Sequence, residues 1–191
     1  MLTPPLLRPA FAMPEAALER ARRVRLLLLD VDGVLTDGRV ILGPADEYKA
    51  FDIKDGHGIR LLIENGITIG IVTGRTSRAV ERRAAELGVR HLYQGCGEKL
   101  PVCAALVREL GLAREQAAYV GDDVVDLPVM LHLGLGIAVR DAHPLVREHA
   151  DWVTPSAGGR GAVREAAELI LHAQQKYAAA MRRYLAADAP R

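Results

Sequence analysis

The sequence lacks an excess of charge of either sign: 25 Lys and Arg stand against 24 Asp and Glu, for a formal net charge of +1. No long-range field draws it to nucleic acid or an acidic membrane, so an anionic ligand has to be held by local positive groups. Cysteine is scarce. Cys96 and Cys103 have no second pair and no zinc-type spacing, and they read as free thiols in a reducing compartment. No apolar run approaches the ~20 residues of a membrane span. The opening stretch MLTPPLLRPAFAMPEAALERARR has no basic region ahead of its apolar run, and prolines and Arg8 interrupt that run. No signal peptide is read there, and the expected setting is the cytoplasm. Internal repeats, low-complexity tracts and domain linkers are also missing. A length of 191 residues suits one domain with a well-buried core. Residues 1–23 are expected to form an extension, disordered over the Pro-rich 1–13 and helical over Pro14–Arg23. A single domain over 24–191 follows.

What is present is alternation. Val24–Val31, Ile67–Thr73, Arg90–Gln94, Gln116–Asp122, Leu135–Val139 and Asp151–Thr154 read as strands. They are continuous apolar runs, as strands covered on both faces should be. Between them lie GIRLLIENG, SRAVERRAAELG, KLPVCAALVRELG and DVVDLPVMLHLG. Each has apolar residues at helical spacing and ends in glycine, the preferred residue just past a helix. Strand and helix in turn mean parallel strands joined by right-handed crossovers, a doubly wound, Rossmann-like α/β fold. Gly38–Gly56 departs from the rhythm: strand-like pieces flank GPADE, which reads as a β-hairpin inserted after the first strand. Gly161–Leu185 reads as one long helix, its apolar stripe running from Val163, Ala166, Ala167 and Ile170 to Tyr177 and Met181.

Ligands bind at the carboxyl ends of parallel strands. Asp30 and Asp32 end the first strand, Thr73 the second, and Asp122 and Asp123 the fourth; Lys99 opens the helix after the third. Asp126 lies one helical turn beyond Asp123. A lone Asp at such a place is ordinarily a helix cap. Side chains two apart on a strand face the same way, so Asp30 and Asp32 converge. Adding Asp122 and Asp123 gathers a repulsion that calls for a cation. An all-oxygen set suits Mg²⁺.

The set resembles the haloacid-dehalogenase superfamily: DVDGVLTDG matches its first motif, TGR its second, Lys99 its third and GDDVVD its fourth. The resemblance implies phosphoryl transfer through an aspartyl-phosphate. Asp30 would be the nucleophile. Asp30, Asp122 and the Asp32 carbonyl would hold Mg²⁺. Asp32 would serve as acid and then base. Thr73 and Lys99 would bind phosphoryl oxygens, with Asp123 and Asp126 orienting metal water and Lys99. About 40 residues part Asp32 from Thr73, and about 25 part Thr73 from Lys99. That leaves no room for a cap domain.

The longer stretches AFDIKDGHGIRLL, HLYQG, AYVGDDVVDLPVM, DAHP and GGRGAVRE make the chain similar to the 3-deoxy-D-manno-octulosonate 8-phosphate phosphatase family, from Val24 to about Gln175. This implies a cytoplasmic homotetramer whose hairpins meet and help close each site. It also implies a role in lipopolysaccharide precursor synthesis. Substrate contacts carried over are Lys54, Asp55, Gly56, Arg60, Gly74, Arg75, Arg83 and Arg160, the last reaching a neighbour's site. Arg guanidinium suits a sugar-acid carboxylate. His57, His91 and His143 read as structural or surface residues. Two rivals stand beside this reading. One is a phosphatase for a nine-carbon sugar-acid 9-phosphate. The other is a phosphorelay receiver switch, which would have no use for Asp32.

Overall fold

Four leucines in a row need apolar partners on both faces, and Leu26–Leu29 (β1) finds them: all four are fully buried. Burying each contributes about 1.5–3 kcal/mol relative to leaving it in water. The computed structural model describes residues 7–44 and 47–185. The expectation for residues 1–6 therefore lies outside the described residues, as does the hairpin tip at 45–46. Beside β1 stand Thr68–Val72 (β4), His91–Tyr93 (β5), Ala117–Gly121 (β6), Leu135–Ala138 (β7) and Trp152–Val153 (β8). They form one parallel sheet in the order β5-β4-β1-β6-β7-β8.

Ile41–Leu42 (β2) and Glu47–Tyr48 (β3) pair antiparallel as the inserted hairpin. Ile53–Glu64 (α2) then leads to β4, Arg78–Leu87 (α3) to β5, and Lys99–Glu109 (α4) to β6. Leu127–His132 (α5) leads to β7 and Pro144–His149 (α6) to β8. Glu15–Ala21 (α1) and Ala162–Ala173 (α7) pack together, and α7 packs on α2. Ala17 and Ala21 are fully buried, so the helix ahead of β1 is part of the core.

Three local expectations are corrected. The helix expected from Gly58 begins at Ile53, because Asp52 caps it by accepting from Lys54 N at 2.7 Å. Lys54, Asp55 and Gly56 are its first turn, not the end of the hairpin. The glycine endings hold for Gly66, Gly88 and Gly111, whose φ is positive, but not for Gly134. The long C-terminal helix is two helices, α7 and Tyr177–Leu185 (α8). Between them Gln175 has φ 58. Lys176 N bonds to Leu171 O at 2.8 Å and Gln175 N to His172 O at 2.9 Å. That is a Schellman closure with glutamine where glycine usually sits. Lys176 Nζ on Asn65 O, at 2.8 Å, anchors the break.

Candidate active site

The register of the three central strands assembles the site. Leu29 lies opposite Ile71 on one side and Val120 on the other. Asp30, Thr73 and Asp122 therefore leave the sheet at the same edge. They line one cavity of about 380 Å³ together with Asp32, Gly74, Arg75, Lys99 and Asp123.

Asp30 is held on both oxygens. Oδ1 accepts from Val31 N at 2.7 Å, and Oδ2 pairs with Lys99 Nζ at 2.7 Å. Burial and the nearby Asp126 push its carboxyl up to about 6, against the pull of Lys99. Lys99 is buried at the first position of α4. Burial opposes its charge, but the Asp30 and Asp126 carboxylates outweigh this and raise its pKa above the ordinary lysine value. Thr73 is buried, its N–H on Tyr93 O at 3.0 Å. One oxygen each from Asp30, Asp122 and Asp126 lie within 4.8 Å of one another. Burial, then Asp126 and Asp30, pushes Asp122 up to about 8. Its Oδ1 is buried without a hydrogen-bond partner, which is costly unless a cation completes it. The Asp122 carboxyl fills the place of a Gly33 side chain, since a Cβ there would stand 2.1 Å from Asp122 Oδ2. An acidic, oxygen-only cluster with one orphaned oxygen fits a hard divalent cation.

Asp126 stands behind the cavity, fully buried. Oδ1 accepts from Lys99 Nζ at 2.7 Å and Tyr119 OH at 2.8 Å; Oδ2 accepts from Asp122 N at 3.0 Å and Asp123 N at 3.3 Å. Asp123 turns outward, its Oδ1 accepting from Val124 N at 2.7 Å. The Asp32 carboxyl is not in the acidic cluster. It pairs with Lys49, and its Oδ2 lies 3.7 Å from Arg75 Nε. Lys49 and Glu47 were not expected here. Neither sits at a strand end of the parallel sheet, and only the folding-over of the hairpin brings them in.

The remaining expected contacts do not line this cavity. Asp55 is buried beneath the start of α7, accepting from Gly161 N at 3.2 Å and Arg164 N at 2.8 Å. It caps a helix from outside that helix, and burial pushes its carboxyl up to about 6. Gly56 makes way for Arg83, whose Nη2 would lie 2.1 Å from a Cβ there. Arg83 stacks over Phe51 in a neighbouring groove with Arg82, Lys49 and Ile53. Lys54 and Arg60 are exposed on α2. Arg160, expected to reach a neighbouring subunit, pairs within its own chain with Asp37 at 3.3 Å. The glycines before it do the same. Gly159 N bonds to Val34 O at 2.8 Å, and a Cβ on Gly158 would fall 1.6 Å from Gly33 O. His57 joins α2 to α7 and α8 through Arg164 and Tyr184, both at 2.8 Å. His143 caps α6.

Carboxylates crowded beside one buried lysine and a threonine, at the carboxyl end of a parallel sheet, define a haloacid dehalogenase-like hydrolase. The family profile of that description matches residues 97–166. Over 158 residues the chain is 52% identical to 3-deoxy-D-manno-octulosonate 8-phosphate phosphatase KdsC of Escherichia coli, covering 82% of this chain and 84% of that one. The crystal structure of the Yersinia pestis phosphatase of the same name matches with a TM-score of 0.85 at 48% identity, over 87% of this chain and 90% of that one. That of the Moraxella catarrhalis phosphatase, in complex with magnesium, phosphate and KDO, matches at 0.87 and 40% identity, over 91% and 99%. The chain belongs to the 3-deoxy-D-manno-octulosonate 8-phosphate phosphatase family.

Proposed function

We propose that this chain is a Mg²⁺-dependent phosphatase that hydrolyses 3-deoxy-D-manno-octulosonate 8-phosphate to the free sugar acid and phosphate. The observation that carries the reading is Asp30 at the end of its buried strand, held by Lys99, with carboxylate oxygens of Asp122 and Asp126 within 4.8 Å. Asp30 attacks phosphorus; its O–P bond forms as the bond to the sugar oxygen breaks. Asp32 gives a proton to the departing alkoxide. Water then attacks the aspartyl-phosphate, Asp32 takes its proton, and the Asp30 O–P bond breaks. Thr73 and Lys99 hold the phosphoryl oxygens while charge builds on them. Mg²⁺, held by Asp30, Asp122 and the Asp32 carbonyl, supplies the positive charge that offsets repulsion between carboxylate and phosphate. Arg75, half exposed at the cavity mouth, suits the substrate's carboxylate. The product feeds lipopolysaccharide assembly in the cytoplasm, a reducing setting in keeping with the free thiols of Cys96 and Cys103.

The test is phosphate release from a panel of esters in Mg²⁺, before and after EDTA. The octulosonate ester should lead, EDTA should stop turnover, and Mg²⁺ should restore it. Faster release from the nine-carbon 9-phosphate would move the substrate. Full activity in metal-free buffer would remove the metal site.

The assembly proposed with this activity is a homotetramer built through the hairpin. Its support is an apolar surface that a monomer would leave wet: Leu42 is 83% exposed, Ile53 75% and Tyr48 60%, with Val40 and Ile41 beside them. Leu42→Asp places a charge in that surface. In sedimentation velocity the wild type should run as a tetramer and the variant as smaller species. Identical profiles would move the interface elsewhere.

A further inference from the structure

Lys49 has none of the roles assigned above, yet it is among the most enclosed cations of the chain. Its side chain is 2% exposed, and lysine is seldom buried without a reason for pairing. Its Nζ pairs with Asp32 Oδ1 and, at 3.2 Å, with Glu47 Oε1. Glu47 Oε2 accepts from Arg75 at 2.6 Å, and Arg75 Nε returns to Asp32 Oδ2 at 3.7 Å. Charges thus alternate around a closed ring, Asp32, Lys49, Glu47 and Arg75.

Stability does not account for such a ring. Taking Lys49 and Glu47 out of water costs about as much as their attraction returns, and pairs made by the half-exposed Arg75 add little. What the ring provides is orientation. It grips each Asp32 oxygen with a different cation, and the two cations differ in freedom. The Arg75 side chain is 50% exposed, so it can turn to an arriving anion. Lys49 is enclosed and stays.

We propose that Lys49 is the positioning residue that fixes the Asp32 carboxyl at the cavity wall, in line with the ester oxygen of the leaving group. This rests on the reading of Asp32 as proton donor. A hairpin side chain thereby sets the aim of a group on the loop after β1. Arg75 is released to the substrate while the aim is kept.

The readout is leaving-group dependence. A sugar alkoxide leaves only with a proton, whereas p-nitrophenolate leaves with little help. Lys49→Met should lower kcat for the octulosonate ester on the order of 10²-fold, the scale of general-acid assistance. The ratio of alkyl-ester to p-nitrophenyl phosphate turnover should fall at least tenfold, on that same scale, with KM little moved. Lys49→Arg, which keeps the charge and the fold with altered reach, should recover part of the ratio. Equal losses on both esters would make Lys49 a prop for the hairpin and overturn the proposal, as would unchanged kinetics. Asp32→Asn separates this from the reading beneath it. If Asp32→Asn itself leaves the ratio unchanged, Asp32 is not the proton donor and both fall. If it collapses the ratio and Lys49→Met does not, only the role of Lys49 falls.

Discussion

Asp30→Asn should end turnover, with a loss on the order of 10⁴-fold or more, in a protein that melts no lower than the wild type. The amide has the shape of the carboxylate but cannot make the acyl phosphate. Lys99 keeps its 2.7 Å partner Asp126, so the lysine is not stranded. The stability half follows from the sign of the pKa shift. Burial raises the Asp30 carboxyl from 3.8 to about 6 in the folded state. The stability tied to its bound proton is fully present below the unfolded value and lost as pH rises through the folded one. At pH 7.5 without metal the ionised carboxylate is therefore a burden that Asn relieves. Thermal melting in EDTA, with phosphate release in Mg²⁺, tests both halves. Residual turnover in a pure preparation removes Asp30 as nucleophile.

Asp126→Ala should cost about 3–5 kcal/mol of folding stability, the range for breaking a buried ionic network on one side. Four donors converge on this carboxylate. Alanine leaves the fully buried Tyr119 hydroxyl and two backbone N–H groups without their acceptor, and Lys99 with one partner of two. Relief of the repulsion with Asp30 and Asp122 offsets only part of this. Urea unfolding measures it. A loss below about 1 kcal/mol, the size of a surface ion pair, would mean the network is not structural.

The fold was open to reading because its signals are local. The central strands are nearly unbroken apolar runs, Leu26–Leu29 above all, and each crossover helix carries its own periodicity. Asp30, Thr73, Lys99 and Asp122 were legible for the same reason: each stands where a strand ends or a helix begins, and a parallel sheet brings those ends together. What was not legible depends on contacts distant in the chain. Lys49 reaches Asp32 only because the hairpin folds back. Asp55 was carried over as a substrate contact by the resemblance alone, but its oxygens accept from backbone donors more than 100 positions on. Gln175 ends α7 with no glycine or proline to mark the place. Its left-handed φ is stabilised by Lys176 reaching Asn65.

The close approach of Gly158 and the bond of Gly159 to the loop after β1 also order events in time. Gly159 closes on Val34 across 125 positions of chain, and β1 itself is completed by β6, made some ninety residues after it. During synthesis from the N-terminus, the motif that carries Asp30 emerges early, and the partners that make it a site emerge late. A nascent chain arrested before Gly158 holds the whole acidic motif without the segment that packs on the loop after β1. Phosphatase activity should therefore switch on only once the segment from Gly158 into α7 has emerged, so that a shorter ribosome-bound fragment does not hydrolyse phosphate esters.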